Sequence, residues 1–161
     1  MSDSLVPRQA NRAASRVSRG ETTRFSVDDQ KGYLTTTTAP DGSLQDLTIR
    51  MAKQGSTLAG MMDALGQAIS LALRAGAPPE VFVGKFTNMR FTPAGLTDDP
   101  ELPIATSLMD YVARRVAVDH LPAWQRAEMG ILTASERRQQ ASVEDAWTDL
   151  PGLAMSAPQG A

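Results

Sequence analysis

Cysteine is absent from all 161 residues, which excludes disulfides, thiolate metal ligands and thiol or thiyl chemistry within this chain. Histidine is nearly absent too. His120 stands alone just before Leu121-Pro122, and with no HExxH or CxxC in the sequence it builds no zinc site. It reads as a surface or helix-end residue. Aromatic residues are only 5% of the chain, so the side chains can fill one modest core and no second full domain. Net charge is small, −2, and gives no protein-wide pull toward nucleic acid or membrane. No apolar run approaches the roughly 20 residues of a membrane span. The first residues carry no hydrophobic stretch of secretory type, and the expected location is the cytoplasm.

What charge there is lies unevenly. Arg8, Arg12, Arg16, Arg19 and Arg24 face only Asp3 and Glu21 before Phe25, in a segment poor in large apolar residues. This predicts a flexible basic arm over residues 1–24. No aromatic side chain is interleaved with the arginines, so a solvated tail or docking strand is favoured over a nucleic-acid arm. From Gln139 onward the chain turns acidic and then rich in Pro, Gly and Ala, a disordered composition with Trp147 and Leu150 as its apolar points.

Between these ends the elements follow in order. "QKGYLTTTTA" reads as a strand, "APDGS" as a hairpin turn and "LQDLTIRMA" as a half-buried strand with Leu47, Ile49 and Met51 on one face. Ser56 or Thr57 then caps a helix whose apolar stripe is Leu58, Met61, Met62, Leu65, Ile69, Ala72 and Leu73, ended by Gly76. Gly60 and Gly66 within it permit close approach by another backbone. A short helix from Pro79 follows, then an irregular stretch, then a helix from Ile104 to about Asp119. "LPAWQRAEMGI" predicts a further short helix anchored by Trp124, and Thr133 with Glu136 makes a capping box for a last turn or two. The expected fold is α+β: a β-hairpin packed against a long amphipathic helix and further helices, with disordered tails.

Two patterns bear on chemistry. "KQGST" offers free N–H groups at a helix start beside a lysine, which makes Lys53, Gly55, Ser56 and Thr57 candidate contacts to an anion or nucleotide. It lacks P-loop spacing, and the plainer reading is a helix cap. Asp98, Asp99 and Glu101 bunch carboxylates without EF-hand spacing, which reads as a solvated acidic loop. No Ser/His/Asp set or activated nucleophile stands out. Catalytic, cofactor-binding and metal-ligating residues are therefore assigned to none.

The stretches "KGYLTTTTAPDG", "LTIRMAKQGSTLAGMMDALGQAISLALRAGAPPEVFVGKFTNMRFTPAGLTDDPE" and "PIATSLMDYVARRVAVDHLP" form one continuous region. It resembles the C-terminal, TSCPD-related part of adenosylcobalamin (vitamin B12)-dependent class II ribonucleotide reductases, over Phe25 to Leu132. The resemblance implies a division into a basic arm (1–24), a reductase C-terminal module (25–132), and a short helix with an acidic, Pro/Gly/Ala-rich tail (133–161). It further implies an accessory or split-off module serving deoxyribonucleotide supply. That family reduces ribonucleotides with a thiyl radical and cysteine pairs, all missing here, so the chain is expected not to be catalytic alone. Its implied partner is a large cysteine-containing reductase chain, through which alone adenosylcobalamin would enter. A stand-alone nucleotide-binding regulatory domain and a small oligomerising domain, a homo-oligomer, are the alternatives.

Overall fold

A computed structural model of the chain describes residues 17–53 and 55–148. Residues 1–16 of the expected arm and 149–161 of the expected tail lie outside the described residues. Three strands, β1 (Arg19–Val27), β2 (Gln30–Thr38) and β3 (Leu44–Met51), form an antiparallel meander in that order. The β2–β3 hairpin was expected; β1 corrects the boundary of the arm. Arg19 to Arg24 belong to a strand because "TTRFSV" alternates, with Phe25 and Val27 fully buried and Thr22, Arg24 and Ser26 on the other face. Phe25 lies opposite Gly32, where a Cβ would sit 2.5 Å from the Phe25 ring. The glycine is what lets the ring lie across β2 and reach the ring of Tyr111, 4.9 Å away.

Helix α1 (Thr57–Arg74) follows β3 and covers its edge. Ser56 is the N-cap, its hydroxyl accepting the Ala59 N–H at 3.2 Å. Leu58, Met62, Leu65, Ile69 and Leu73 face the core. Met61 and Ala72, expected on the same stripe, are exposed. The stripe is narrow because α1 sits close to β3: a Cβ on Gly66 would meet the Leu47 carbonyl oxygen at 3.0 Å. Ser70 Oγ also accepts the Leu47 N–H at 2.9 Å, a backbone donor that no neighbouring strand takes up. Gly66 is thus the close-approach glycine and Leu47 the neighbour that sequence could not name. Gly60 has nothing within 4 Å of its added Cβ.

Helix α2 (Pro79–Phe86) and helix α3 (Leu108–His120) close the core, separated by an irregular segment that holds the two-residue strands β4 (Gly95–Leu96) and β5 (Ile104–Ala105). Ile104 pairs with Leu96 in that small sheet and is exposed, so the expected helix starts four residues late, at a Ser107 cap. The buried face of α3 includes Leu108, Tyr111, Val112 and Val116.

Helix α4 (Ala123–Glu128) and helix α5 (Ala134–Thr148) complete the order. Trp124 is 64% exposed, not an anchor; Arg126, Ile131 and Thr133 are buried at this corner. The Thr133–Glu136 capping box is present in both directions, with Thr133 N–H donating to Glu136 Oε2 at 2.8 Å and Glu136 N–H to Thr133 Oγ1 at 3.2 Å. The helix it opens runs fifteen residues, far beyond the expected turn or two.

Candidate functional site

The start of α1 is where the sequence placed its anion contacts. Gly55 has φ +83°, a conformation that side chains resist, and this turns the chain into the helix. The Ser56 hydroxyl is occupied as the cap, while Lys53 and Thr57 are exposed. The four residues share one turn, but among the described residues their bonded contacts there are those of an ordinary helix cap.

Beside that turn the sheet contributes residues that spacing did not reveal. Arg24, Tyr33 and Arg50 are direct cross-strand partners, one from each of β1, β2 and β3, on the face turned away from the core. Tyr33 is about half exposed, and Lys31 precedes it by two residues on the same face. Lys31, Tyr33 and Arg50 line a recess of about 230 Å³ whose far wall is Ala59 and Asp63 of α1. Lys53 does not line it. An aromatic ring flanked by guanidinium groups can stack a planar group and pair with an anion. The signal was present in the sequence only as single residues on three separate strands; β-register alone brings them together.

The acidic loop has a different use from the solvated one expected. Asp98 accepts the Ser26 N–H at 2.6 Å, and Glu101 accepts the Ser135 hydroxyl at 2.7 Å and its N–H at 3.1 Å. Asp99 accepts from the Tyr111 hydroxyl at 3.0 Å and from Arg115 at 3.2 Å. The three carboxylates therefore fasten the loop to β1, α5 and α3 respectively, and among the described residues no cluster suits a metal ion. Burial pushes the Tyr111 phenol well above its ordinary value, and the Asp99 charge adds to this. Desolvation works against the Arg115 charge, but hydrogen bonding and charge from Asp119 and then Asp99 hold it above the ordinary value. Neither group is tuned toward proton transfer at neutral pH.

Two further features complete the polar inventory. Asp110, 1% exposed, accepts from Asn88 N–H (2.6 Å), Thr106 N–H (3.0 Å) and Arg114 Nε (2.8 Å), and so ties the turn after α2 and the end of β5 to α3. His120 ends α3 beside a cleft of about 590 Å³ bordered by Arg74, Glu80 and Gln125. Its Nε2 is buried without a partner, and burial lowers its pKa below 6.5.

The corner of α4 and α5 is held by charge. Arg126 grips Glu136 with two bonds, of 2.9 and 2.7 Å. That pairing, with the Thr133 N–H, holds the Glu136 carboxyl down at about 2, against an ordinary 4.5. A carboxylate lowered on folding adds stability that is complete above pH 4.5 and lost as pH falls toward 2. We expect α5 to detach first in that window, seen as loss of helical circular dichroism, and Glu136→Gln to weaken the dependence, the remainder coming from Glu101, whose carboxyl the Ser135 hydroxyl and N–H hold below its ordinary value.

The whole is an α+β module, with a meander on one side, helices on the other and no assembled catalytic set among the described residues. The domain family described as "TSCPD domain" matches residues 6–120, and the chain belongs to it. Similar proteins are vitamin B12-dependent ribonucleotide reductases. That of Streptantibioticus cattleyicolor is 50% identical over 147 residues, covering 88% of this chain and 24% of the relative. That of Streptomyces coelicolor is 48% identical over 145 residues, covering 87% of this chain and 15% of the relative. That of Rhodopirellula baltica is 43% identical over 97 residues, 60% of this chain and 9% of the relative. The chain thus spans no more than about a quarter of the reductases to which it is similar. No solved structure matches. No helix among the described residues is long and apolar enough to cross a membrane.

Cobalamin itself does not fit the clefts found among the described residues. The one imidazole, His120, borders a cleft of about 590 Å³ but has its Nε2 buried away from solvent, and the cleft is on the scale of an ordinary small ligand and not of a corrin ring with its nucleotide.

Proposed function

We propose that this chain works as the C-terminal-type module of a vitamin B12-dependent ribonucleotide reductase, joined to a larger chain that carries the cysteines and the cobalamin. It contributes to deoxyribonucleotide supply through that assembly and performs no reduction alone. The observation that carries this reading is identity of 47–50% across 87–88% of the chain for the Streptomyces avermitilis and Streptantibioticus cattleyicolor reductases. The lack of any cysteine leaves it no thiol or thiyl chemistry of its own. The test is to remove the matching region from the Streptomyces coelicolor reductase and supply this chain separately. Restored ribonucleotide reduction, or micromolar association with the shortened enzyme, supports the proposal. If the chain neither restores reduction nor associates with the shortened enzyme, the proposal is overturned.

A second reading, nucleotide binding at the module itself, has one observation in its favour: Lys31, Tyr33 and Arg50 share a recess next to the Lys53–Thr57 turn. Titration with ATP and dATP should then show saturable binding that weakens at least tenfold in an Arg50→Ala, Lys53→Ala double variant. Equal affinity in both proteins would sink this site.

A further inference from the structure

The recess of Lys31, Tyr33 and Arg50 is one end of a longer polar trough. A second cavity, of about 490 Å³, lies between β3 and α1 and is bordered by Thr48, Gln67 and the Asp46–Arg74 ion pair. The two cavities share Arg50 and Asp63, and so they meet there. Ala59, Asp63, Gln67, Leu71 and Arg74 recur at three- and four-residue steps, so the trough follows one stripe of α1. At roughly 1.5 Å of rise per residue that stripe is about 22 Å long. The recess alone, about 230 Å³, falls short of the about 300–1,000 Å³ usual for a small-molecule site, whereas the joined trough lies within it.

The charges at the recess end are unspent. Among the described residues the side chains of Lys31, Arg50 and Asp63 have no hydrogen-bond or ion-pair partner, and neither has the Tyr33 hydroxyl. Arg50 and Asp63 border the same two cavities with opposite charges and are not bonded to each other. At the far end Arg74 and Asp46 are already closed on one another at 2.6 Å. The free set is therefore two cations, one carboxylate and a half-exposed ring. The carboxylate decides between ligands. A bare phosphate is drawn to Lys31 and Arg50 but repelled by Asp63. A ligand that carries hydroxyl donors beside its phosphate satisfies all three. A planar ring laid on Tyr33 adds stacking. A ribonucleoside phosphate brings a ring, a vicinal pair of hydroxyls and a phosphate on one small scaffold, and a carboxylate on the ribose hydroxyls is a recurrent way of holding that sugar.

We infer that the trough between β3 and α1 takes a ribonucleoside phosphate, its ring on Tyr33, its phosphates on Lys31 and Arg50 and its 2′,3′-hydroxyls on Asp63, and that Asp63 makes the site prefer ribose to deoxyribose. This rests on the nucleotide-binding reading above, and the test separates the two. The full chain is titrated calorimetrically with ATP, dATP and inorganic triphosphate. Expected is binding of ATP about tenfold tighter than of dATP, the scale of one hydrogen bond to a charged group, with inorganic triphosphate weaker than either. Asp63→Ala should bring ATP and dATP to equal affinity. Arg50→Ala should weaken both at least tenfold and leave their ratio unchanged. Asp63 and Arg50 are both exposed, so the fold of each variant is expected to survive, which circular dichroism checks. Equal affinity for ATP and dATP in the unaltered chain, or a preference that persists in Asp63→Ala, would overturn the inference and leave nucleotide binding standing. Inorganic triphosphate bound as tightly as ATP would overturn it as well, since ring and sugar would then contribute nothing. No saturable binding of either nucleotide would remove both readings.

Discussion

Asp110→Ala is expected to cost about 3–5 kcal/mol, the scale for removing one partner from a buried charged pair and a large share of the about 5–15 kcal/mol that holds a native domain together. The carboxylate is the shared acceptor for two backbone N–H groups and one guanidinium, at 2.6 to 3.0 Å. Alanine leaves all three without an acceptor, in a place where solvent enters only partly. Its own N–H is satisfied by the Ser107 cap at 3.0 Å, so the helix start survives and the damage falls on the segments that Asp110 collects. Asn88, in a left-handed conformation at φ 65°, is the first expected to move. Asp110→Asn keeps the shape and one acceptor oxygen, and should retain part of the loss. Urea denaturation of the three proteins measures this. Equal midpoints would show the buried carboxylate to be dispensable.

The second large effect concerns two glycines on one helix. Gly66→Val is expected to destabilise by about 1–3 kcal/mol, because its Cβ alone would press on the Leu47 carbonyl and β3 cannot retreat without losing its pairing with β2. Gly60→Ala meets nothing within 4 Å and should stabilise by up to about 1 kcal/mol through helix propensity. Opposite signs on the same helix, read as thermal midpoints, separate close packing from propensity. A destabilising Gly60→Ala, or a neutral Gly66→Val, would contradict the geometry of α1 on β3.

How far the sequence could be read depended on whether each signal was local. The β2–β3 turn, the Ser56 cap, the Gly76 stop and the Thr133–Glu136 box are written in adjacent residues, and each is found in the structure. Strand β1 was hidden because its first six residues are polar or glycine and continue an arginine-bearing segment, although Phe25 and Val27 alternate correctly. Ile104 and Trp124 look like core residues by type. Their exposure is decided by tertiary neighbours, the two-residue β4–β5 pair and the Arg126–Glu136 clamp. The Arg24–Tyr33–Arg50 row is legible only once strand register is known. The same holds for the acidic loop, whose bonding partners in β1, α3 and α5 lie between 12 and 72 residues away in sequence.

The seat of α1 along β3 also limits how the sheet could grow. Over Leu47–Ile49 the outer edge of β3 is shut by Gly66 and Ser70, whereas the Arg19 end of β1 has no neighbouring strand among the described residues. A sheet with one closed edge can add strands only from one side. If copies of this module ever join edge to edge, β1 must meet β1, and the growth ends there: a finite pair with two sealed ends, never a fibre.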